Sequence, residues 1–357
     1  MTNSFSERYS QAKGSLPGND LAWLNTYRDA GIERFALQGL PTKKWEAWKY
    51  TNLSEISSTA FRSVESKDCD KSISSVPSLF QTEELEAKLV FVNGFLRADL
   101  SDIGELPKGL EIQSLQEALN ENPEIFENNL TDNYSKNISP FVALNSAFME
   151  SGVVIRVSST AKKLKPIELV HLNGMANQPI IRHPRNLIIV EPKAEATIVK
   201  HHSGQEVGAY FTNAVTDINI GDDAALKYYS VQSESHDATH LSTINVRVGM
   251  NGSYESFSLA AGGRLSRHET NLGLYDEGAS CAISGAYMMR GREHCDNTTV
   301  INHFAPNTKS REVFKGVLDD EASGVFQGRI IVHNAAQGTD GYQLSKSLLL
   351  SDNAVMN

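Results

Sequence analysis

A period-two alternation of side chains runs through residues 310–354 and limits the folds open to this chain more than any other feature. One face carries small and apolar residues and the other mainly polar ones, namely Phe326, Gly328, Ile330 and Val332 against Gln327, Arg329, Ile331 and His333. Successive side chains of a β-strand point to opposite faces, so the pattern predicts strands. Short segments rich in Asp, Asn and Gly separate them and predict turns.

The same strand-and-turn pattern begins at Gly152 and continues to the end of the sequence. Its turns place a small residue beside an acid, Asn or Gly, and this marker recurs at Ala194, Ala224, Gly252, Gly278, Ala322 and Ala354. The intervals are 30, 28, 26, 44 and 32 residues. An imperfect repeat of about 30 residues with two strands and no helix predicts a β-solenoid. A sandwich or propeller would also give many short strands, but the constant turn chemistry favours the solenoid.

The first part of the chain has a mainly helical pattern. A helix capped at Asn19 or the next residue is expected to end near Gly39, and short helices are expected on both sides of Pro123 and over residues 140–149. The Trp-rich residues 45–50 predict a short helix whose tryptophans pack on the helix before it.

One strand signal interrupts this helical region. Residues 88–95 predict a strand that enters a tight turn at Asn93-Gly94. We therefore expect two domains: a mainly helical α+β region over residues 1–150 and a parallel β-solenoid over residues 151–357.

Composition narrows the function classes. A net charge of -10 and a pI near 5.5 argue against nucleic-acid binding as the main role. The sequence contains no run of 18 apolar residues, so no membrane span is predicted. Its N-terminus lacks the apolar segment of a secretory signal peptide, so no such signal is predicted. Three widely spaced cysteines, Cys69, Cys281 and Cys295, fit a reducing compartment. We expect a cytoplasmic protein without membrane or nucleic-acid partners.

The residues that best match metal chemistry lie near the end of the repeat region. His294, Cys295 and His303 offer imidazole and thiolate, which iron and zinc prefer, and they are candidate metal ligands. Cys281 alternates with Ile283 and fits a small buried hydrophobe; a structural role is the favoured interpretation of all these residues. No P-loop, Cys-x2-Cys, nucleophile elbow or His-Glu-x-x-His motif occurs, so no catalytic residue is assigned.

Two other histidine pairs are weaker candidates. His236 and His240 have i,i+4 spacing, but their Ser- and Asp-rich segment favours a solvated loop. His201 and His202 are adjacent, and adjacent side chains diverge on a strand. Neither pair is predicted to bind a metal ion.

Two polar groups have surface interpretations. The acidic run 319–321 could supply paired carboxylates for glycoside chemistry, but its pattern favours a solvated turn. Gln327, Arg329 and His333 project from one strand face and are candidates for a partner interface, with plain solvent exposure as the alternative.

Several unusual short motifs follow one another in order between residues 303 and 354. They are His303-x-x-Pro306, Thr308-x-Ser310, Phe314-Lys315-Gly316, Gly324-Val325-Phe326-x-Gly328, Val332-His333, Ala336-Gln337-x-Thr339-Asp340 and Leu348-Leu349-Leu350-Ser351-Asp352. Together they resemble the shared core of the SufB/SufD family, scaffold subunits of the SUF machinery that assembles iron–sulfur clusters. Residues 39–51, GLPTKKWEAWKYT, resemble the SufD branch of that family.

The resemblance implies a right-handed parallel β-helix preceded by a helical region. It also implies a complex in which the chain pairs with SufB through their β-helices and works with the ATPase SufC. The iron–sulfur cluster would be assembled transiently in that complex, with no cofactor held tightly by this chain alone.

The sequence departs from the family pattern at its end. Family members continue into a strand bearing a Cys and a His and then into a C-terminal helical region that docks SufC, whereas this sequence stops at Asn357. We therefore expect the docking region to be missing. The apolar residues Leu348 to Leu350 would then form an edge that pairs two copies into a homodimer.

These observations predict a non-catalytic scaffold subunit of iron–sulfur cluster assembly. One alternative is a β-helical carbohydrate-active enzyme, which usually carries a secretion signal and an aromatic-rich face, and the sequence has neither. The other alternative is a purely structural β-helix protein.

Overall fold

The computed structural model describes residues 2–69, 73, 75–130, 139–174, 176, 178–204 and 208–357. The helices of this part of the chain are α1 Thr2–Ala12, α2 Ala22–Gln38, α3 Ser54–Ser58, α4 Leu115–Glu121, α5 Pro123–Glu127 and α6 Pro140–Phe148. The first strands are β1 Arg62–Ser63, β2 Ala87–Val92, β3 Phe95–Leu96, β4 Leu110–Ser114, β5 Val153–Val157, β6 Ile167–Asn173, β7 Ile180–Arg182 and β8 Arg185–Val190. The later strands are β9 Glu195–Gly204, β10 Tyr210–Ile220, β11 Ala225–Ser233, β12 Ala238–Val248, β13 Ser253–Ala261, β14 Leu265–Leu274, β15 Ser280–Met289, β16 His294–His303, β17 Lys309–Leu318, β18 Ser323–Val332, β19 Asp340–Leu349 and β20 Val355–Met356.

The strands alternate between two sheets. The first sheet runs in the order β20-β18-β16-β14-β12-β10-β8-β5-β4, and the second in the order β19-β17-β15-β13-β11-β9-β6-β2-β3. From β8 onward each strand pairs in parallel with the strand one coil away: Tyr210 pairs with Ala238, 28 positions on, and Lys309 with Asp340, 31 positions on. The predicted β-solenoid with two strands per repeat of about 30 residues is confirmed.

The turns explain the one irregular interval in the repeat. Lys193, Asp223, Asn251 and Asn307 have positive φ angles of 53 to 64° and occupy turns that lead from the first sheet to the second. These turns stack through backbone hydrogen bonds, as from Asp223 N to Met250 O at 2.8 Å. The markers at positions 322 and 354 lie in turns that return to the first sheet. The 44-residue interval therefore joins two different corners of the coil.

Apolar side chains fill the inside of the solenoid in rows that follow the register. One such row of the first sheet contains five buried side chains: Ile188, Ile218, Val246, Leu272 and Ile301. Each residue lies directly beside its neighbour in the next coil. Burial of one such side chain contributes about 1.5–3 kcal/mol, so the rows supply much of the stability that holds the coils together.

The helical region covers the outer face of the first sheet. Phe35 of α2 and Phe141 of α6 pack with Phe211, Val215 and Leu241 of β10 and β12 in one buried cluster. In the described part of the chain, no helix is long and apolar enough to cross a membrane.

Local predictions for this region are mostly confirmed. The helices on both sides of Pro123 are present as α4 and α5, and the tight turn at Asn93-Gly94 joins β2 to β3 with φ angles of 48 and 92°. The predicted cap of α2 is wrong, because Leu21 is the residue before the helix and the Asn19 side chain donates to the carbonyl oxygen of Gly14.

The prediction for the Trp-rich stretch is also partly wrong. Residues Glu46–Trp48 form a 3₁₀ turn, and Trp48 packs on Phe141 of α6, with ring centroids 5.3 Å apart, in the buried cluster that also contains Phe35 of α2. Trp45, by contrast, is exposed. The α6 partner of Trp48 comes from nearly 100 residues further along the chain, which no local pattern reveals.

Candidate functional site

The predicted ligand His294 belongs to a polar network on the outer face of the first sheet. Asp296 of β16 is fully buried and accepts hydrogen bonds from Arg267 Nη1 and Thr51 Oγ1. The Arg267 guanidinium lies over the Trp48 ring, 3.9 Å from its centroid. His294 Nε2 lies 3.1 Å from Thr51 Oγ1. This network attaches the Trp-rich segment to the solenoid, so its polar groups already have structural partners.

The thiol of Cys295 lies on the opposite, inner face of the same strand. The residue is fully buried beside Tyr287, Leu318 and Ala322. Burial raises the pKa of the Cys295 thiol far above its usual range, and the nearby carboxylate of Asp296 raises it further. Burial therefore disfavours the thiolate, the form that binds a metal ion.

The third candidate ligand, His303, lies at the other end of β16. Its Nδ1 is 2.7 Å from Thr308 Oγ1 and its Nε2 is 2.9 Å from Ser310 Oγ. It lies eight positions along the strand from Cys295, which corresponds to about 26 Å. The structure does not bring His294, Cys295 and His303 together, and a ligand role for each stays a prediction.

The three candidate interface residues lie where the sequence places them, near the far end of the solenoid. Arg329 is exposed, and Gln327 and His333 are partly buried. His333 continues a stack of rings along the coil, 4.3 Å from Phe304, which is in turn 4.7 Å from Tyr275. Their role at a partner interface stays a prediction.

The acidic run forms the exposed turn between β17 and β18. Asp319 accepts hydrogen bonds from the backbone of Asp320 and from Ser351, and these bonds lower the pKa of its carboxyl group. Glu321 accepts a hydrogen bond from Arg292 Nε at 2.9 Å. The carboxylates are thus engaged in holding neighbouring turns together, as a structural turn requires.

A row of histidines inside the solenoid was not predicted as a group. His171 and His202 pair in register on β6 and β9, and their rings stack 4.5 Å apart. His202 also meets the ring of His240 from β12 edge-on, with centroids 4.5 Å apart. Glu234, in the turn before β12, lies 2.8 Å from His240 Nδ1. His236, which has i,i+4 spacing to His240, points outward, and its Nδ1 lies 2.6 Å from Glu293 Oε1.

Burial and neighbouring charge set the protonation of this row. Burial lowers the pKa of His202 well below 6.5, and the nearby imidazoles of His240 and His171 lower it further. Burial by itself would raise the pKa of Glu234, but His240 and Arg182 outweigh it and lower the pKa to about 2. The row therefore combines a neutral imidazole with a buried carboxylate.

Comparison with known proteins places the chain in a family. The family model described as SUF system FeS cluster assembly, SufBD core domain, matches residues 172–357, and the SufBD protein N-terminal region matches residues 1–169. An iron–sulfur cluster assembly SufBD family protein of Synechocystis is 28% identical over 96% of this chain and 77% of its own length. SufD of Escherichia coli is 26% identical over 89% and 72%, and SufD of Bacillus subtilis 24% identical over 98% and 79%, respectively. The chain therefore belongs to the SufBD family of SUF iron–sulfur cluster assembly proteins.

Proposed function

We propose that this chain is a non-catalytic scaffold subunit that pairs with SufB and works with the ATPase SufC in the cytoplasm. The observation that carries the proposal is the match of both family regions along nearly the whole chain. The β-solenoid supports it, because stacked coils with continuous parallel pairing form a rigid body on which a partner can be held.

The buried thiols support a role without covalent catalysis. Burial raises the pKa of both Cys281 and Cys295 far above the usual range of a thiol, which disfavours the thiolate form that a nucleophile or a cluster ligand needs. Cys69, the third cysteine, is partly buried. We therefore propose that the chain alone holds no iron–sulfur cluster tightly and that the cluster is assembled transiently in the complex.

The surface around Arg329 is the proposed contact with the partner subunit. Arg329 is exposed on the outer face of β18, with Gln327 on the same strand and His333 directly after its end. Exposed arginines are common anchors of protein interfaces because the planar guanidinium makes several directed hydrogen bonds.

Co-expression with SufB and SufC of the same organism tests both the scaffold role and the assigned surface around Arg329. A tagged form of this chain should retain SufB, and Arg329→Glu should abolish that retention. Arg292→Glu is the matched control, because Arg292 is also an exposed arginine whose side chain is 79% accessible, but it lies in a turn and pairs with Glu321. A chain that retains no SufB contradicts the scaffold proposal, whereas retention by Arg329→Glu contradicts only the assigned surface.

In the absence of SufB we propose that the chain pairs with a second copy of itself. The side chains of Leu348 and Leu350 at the end of β19 are more than half exposed, which favours apolar self-association. Sedimentation velocity over a range of concentrations should show a dimer that disappears when SufB is added. A monomer at every concentration contradicts the proposed self-association.

A further inference from the structure

Three buried donor groups meet inside the solenoid at a point that the scaffold role does not use. They are His202 at the end of β9, Glu234 in the turn after β11, and His240 in β12. Their ligand atoms all lie within 4.8 Å of one another. The residues are 1%, 6% and 1% exposed, respectively. The coil brings them together from separate strands and a turn.

The imidazole of His202 makes no hydrogen bond within the described part of the chain that would explain a polar ring at this buried position. Neither of its ring nitrogens has a hydrogen-bond partner among the described residues. More than nine in ten buried polar groups are hydrogen-bonded, and leaving one unbonded destabilises the fold. His303 shows the usual arrangement, with both nitrogens bonded. The stack that holds His202 starts with Phe91 on His171, at 4.9 Å, so a phenyl ring would serve the packing equally well.

The carboxylate of Glu234 is held in place by amide groups. Asn173 Nδ2 donates to its Oε1 and Gln232 Nε2 to its Oε2, each at 3.1 Å. Gln232 is itself fixed by Ser266 at 2.8 Å and lies 3.2 Å from His268 Nε2. Outer partners that orient a ligating carboxylate are typical of metal sites.

We propose that His202, His240 and Glu234 bind one divalent transition-metal ion, of the class of zinc or ferrous iron, inside the solenoid. Two imidazoles and one carboxylate are a donor set that both ions accept, with a further position open to a small ligand. Tetrahedral bonds of about 2.1 Å would set the donor atoms about 3.4 Å apart. Side-chain rotation would bring the more distant donor atoms, which lie within 4.8 Å of one another, closer together. If His240 binds through Nδ1, the 2.8 Å separation from Glu234 Oε2 would widen.

Two buried cations, Arg182 and Lys200, lie near the site and would compete with a metal ion. His236, two positions after Glu234, has a side chain that is 56% accessible, so the turn that carries Glu234 reaches the surface of the coil. Arg182 Nη2 lies 4.0 Å from Glu234 Oε1 and repels a divalent ion. Arg182→Gln should therefore tighten metal binding.

This inference does not rest on the scaffold role and departs from two sequence-based expectations. Neither histidine pair predicted a metal site, because the spacing of His201 with His202, and of His236 with His240, describes only one segment of the chain. The chain was also expected to hold no cofactor tightly. The structure instead uses one histidine from each pair.

Calorimetric titration of the chelator-treated chain with Zn²⁺ tests the site, without any partner protein. We expect one zinc ion per chain, counted by atomic emission. His202→Gln and His240→Gln should weaken binding by about 100-fold or more, since loss of even an outer partner costs about 10- to 100-fold. His201→Gln is the matched control, because it changes the neighbouring histidine of the same strand and should leave the affinity unchanged.

No zinc binding by the unchanged chain overturns the proposal, and so does an equal loss of affinity in His201→Gln. Far-UV circular dichroism of each metal-free variant establishes that it is folded. Should the ligand variants not fold, crystals of the unchanged chain soaked in Zn²⁺ decide the question. An anomalous peak between His202, His240 and Glu234 supports the site, and its absence from that point overturns it.

Discussion

Replacement of Asp217 with Asn is expected to loosen the helical region from the solenoid. Arg185 of β8 is fully buried, and its Nε and Nη2 donate to Asp217 Oδ2 of β10 at 2.8 and 2.5 Å. The same guanidinium donates to Asn145 and Ser146 of α6 at 3.3 and 3.2 Å and to Tyr27 of α2 at 3.3 Å. One buried ion pair therefore ties two helices to two strands.

The magnitude follows from the burial of the cation. Asn preserves the shape of Asp217 but leaves the Arg185 guanidinium without its counter-charge. Breaking a buried ion pair in this way costs about 3–5 kcal/mol, a large part of the roughly 5–15 kcal/mol that holds a domain folded. Replacing both partners, with Arg185→Met and Asp217→Leu, should cost far less, because no charge is then buried.

The distribution of tryptophan provides a specific assay. Trp23, Trp45 and Trp48 all lie in the helical region, and they are the only tryptophans of the chain. In urea unfolding, their fluorescence reports the helices, whereas far-UV circular dichroism is dominated by the strands of the solenoid. For Asp217→Asn, the fluorescence midpoint should fall further than the dichroism midpoint. A free energy of unfolding within about 1 kcal/mol of the unchanged chain would refute the reasoning, as would equal destabilisation by the double replacement.

Two further perturbations test other contacts of the same region. Gly152→Ala should lower the free energy of unfolding in urea by about 3 kcal/mol. The reason is that the φ of Gly152 is +143° and a Cβ there would lie 1.8 Å from the Arg185 carbonyl oxygen. Gly14→Ala is the control and should be close to neutral, because nothing lies within 4 Å of the added Cβ. Burial raises the pKa of Glu150 from 4.5 to about 8, so between these pH values the folded chain keeps a proton that the unfolded chain releases. Stability should therefore fall from pH 5 to 8 by at most about 1.4 kcal/mol per pH unit, and Glu150→Gln should flatten that slope; a slope unchanged by the substitution would contradict the assignment.

The repeating part of the fold could be predicted because its physics is local. Strand alternation needs only neighbouring residues, and a left-handed turn residue such as Asp223 or Asn251 is a choice of residue type at one position. The docking of the helical region could not be predicted in the same way. Trp48 meets Arg267 and Phe141 across more than 90 residues of chain, and such partners follow from the coil and not from spacing along the sequence.

The histidine site was missed for the same reason, although the sequence contains a usable signal. Spacing within a single segment does not reveal the site, because the side chains of His201 and His202 diverge on one strand. In a solenoid, the neighbour of an inward residue lies about 30 positions away: His171 pairs with His202, and His202 with Gln232. Following the inward positions coil by coil therefore reveals a run of polar side chains that contrasts with apolar rows such as the one through Ile218. Burying such a run costs free energy unless a ligand or a hydrogen-bonded network satisfies the polar groups. The buried ring of His202, which lacks a hydrogen bond to any described residue, is therefore a stronger indication of a bound ligand than an exposed histidine such as His236.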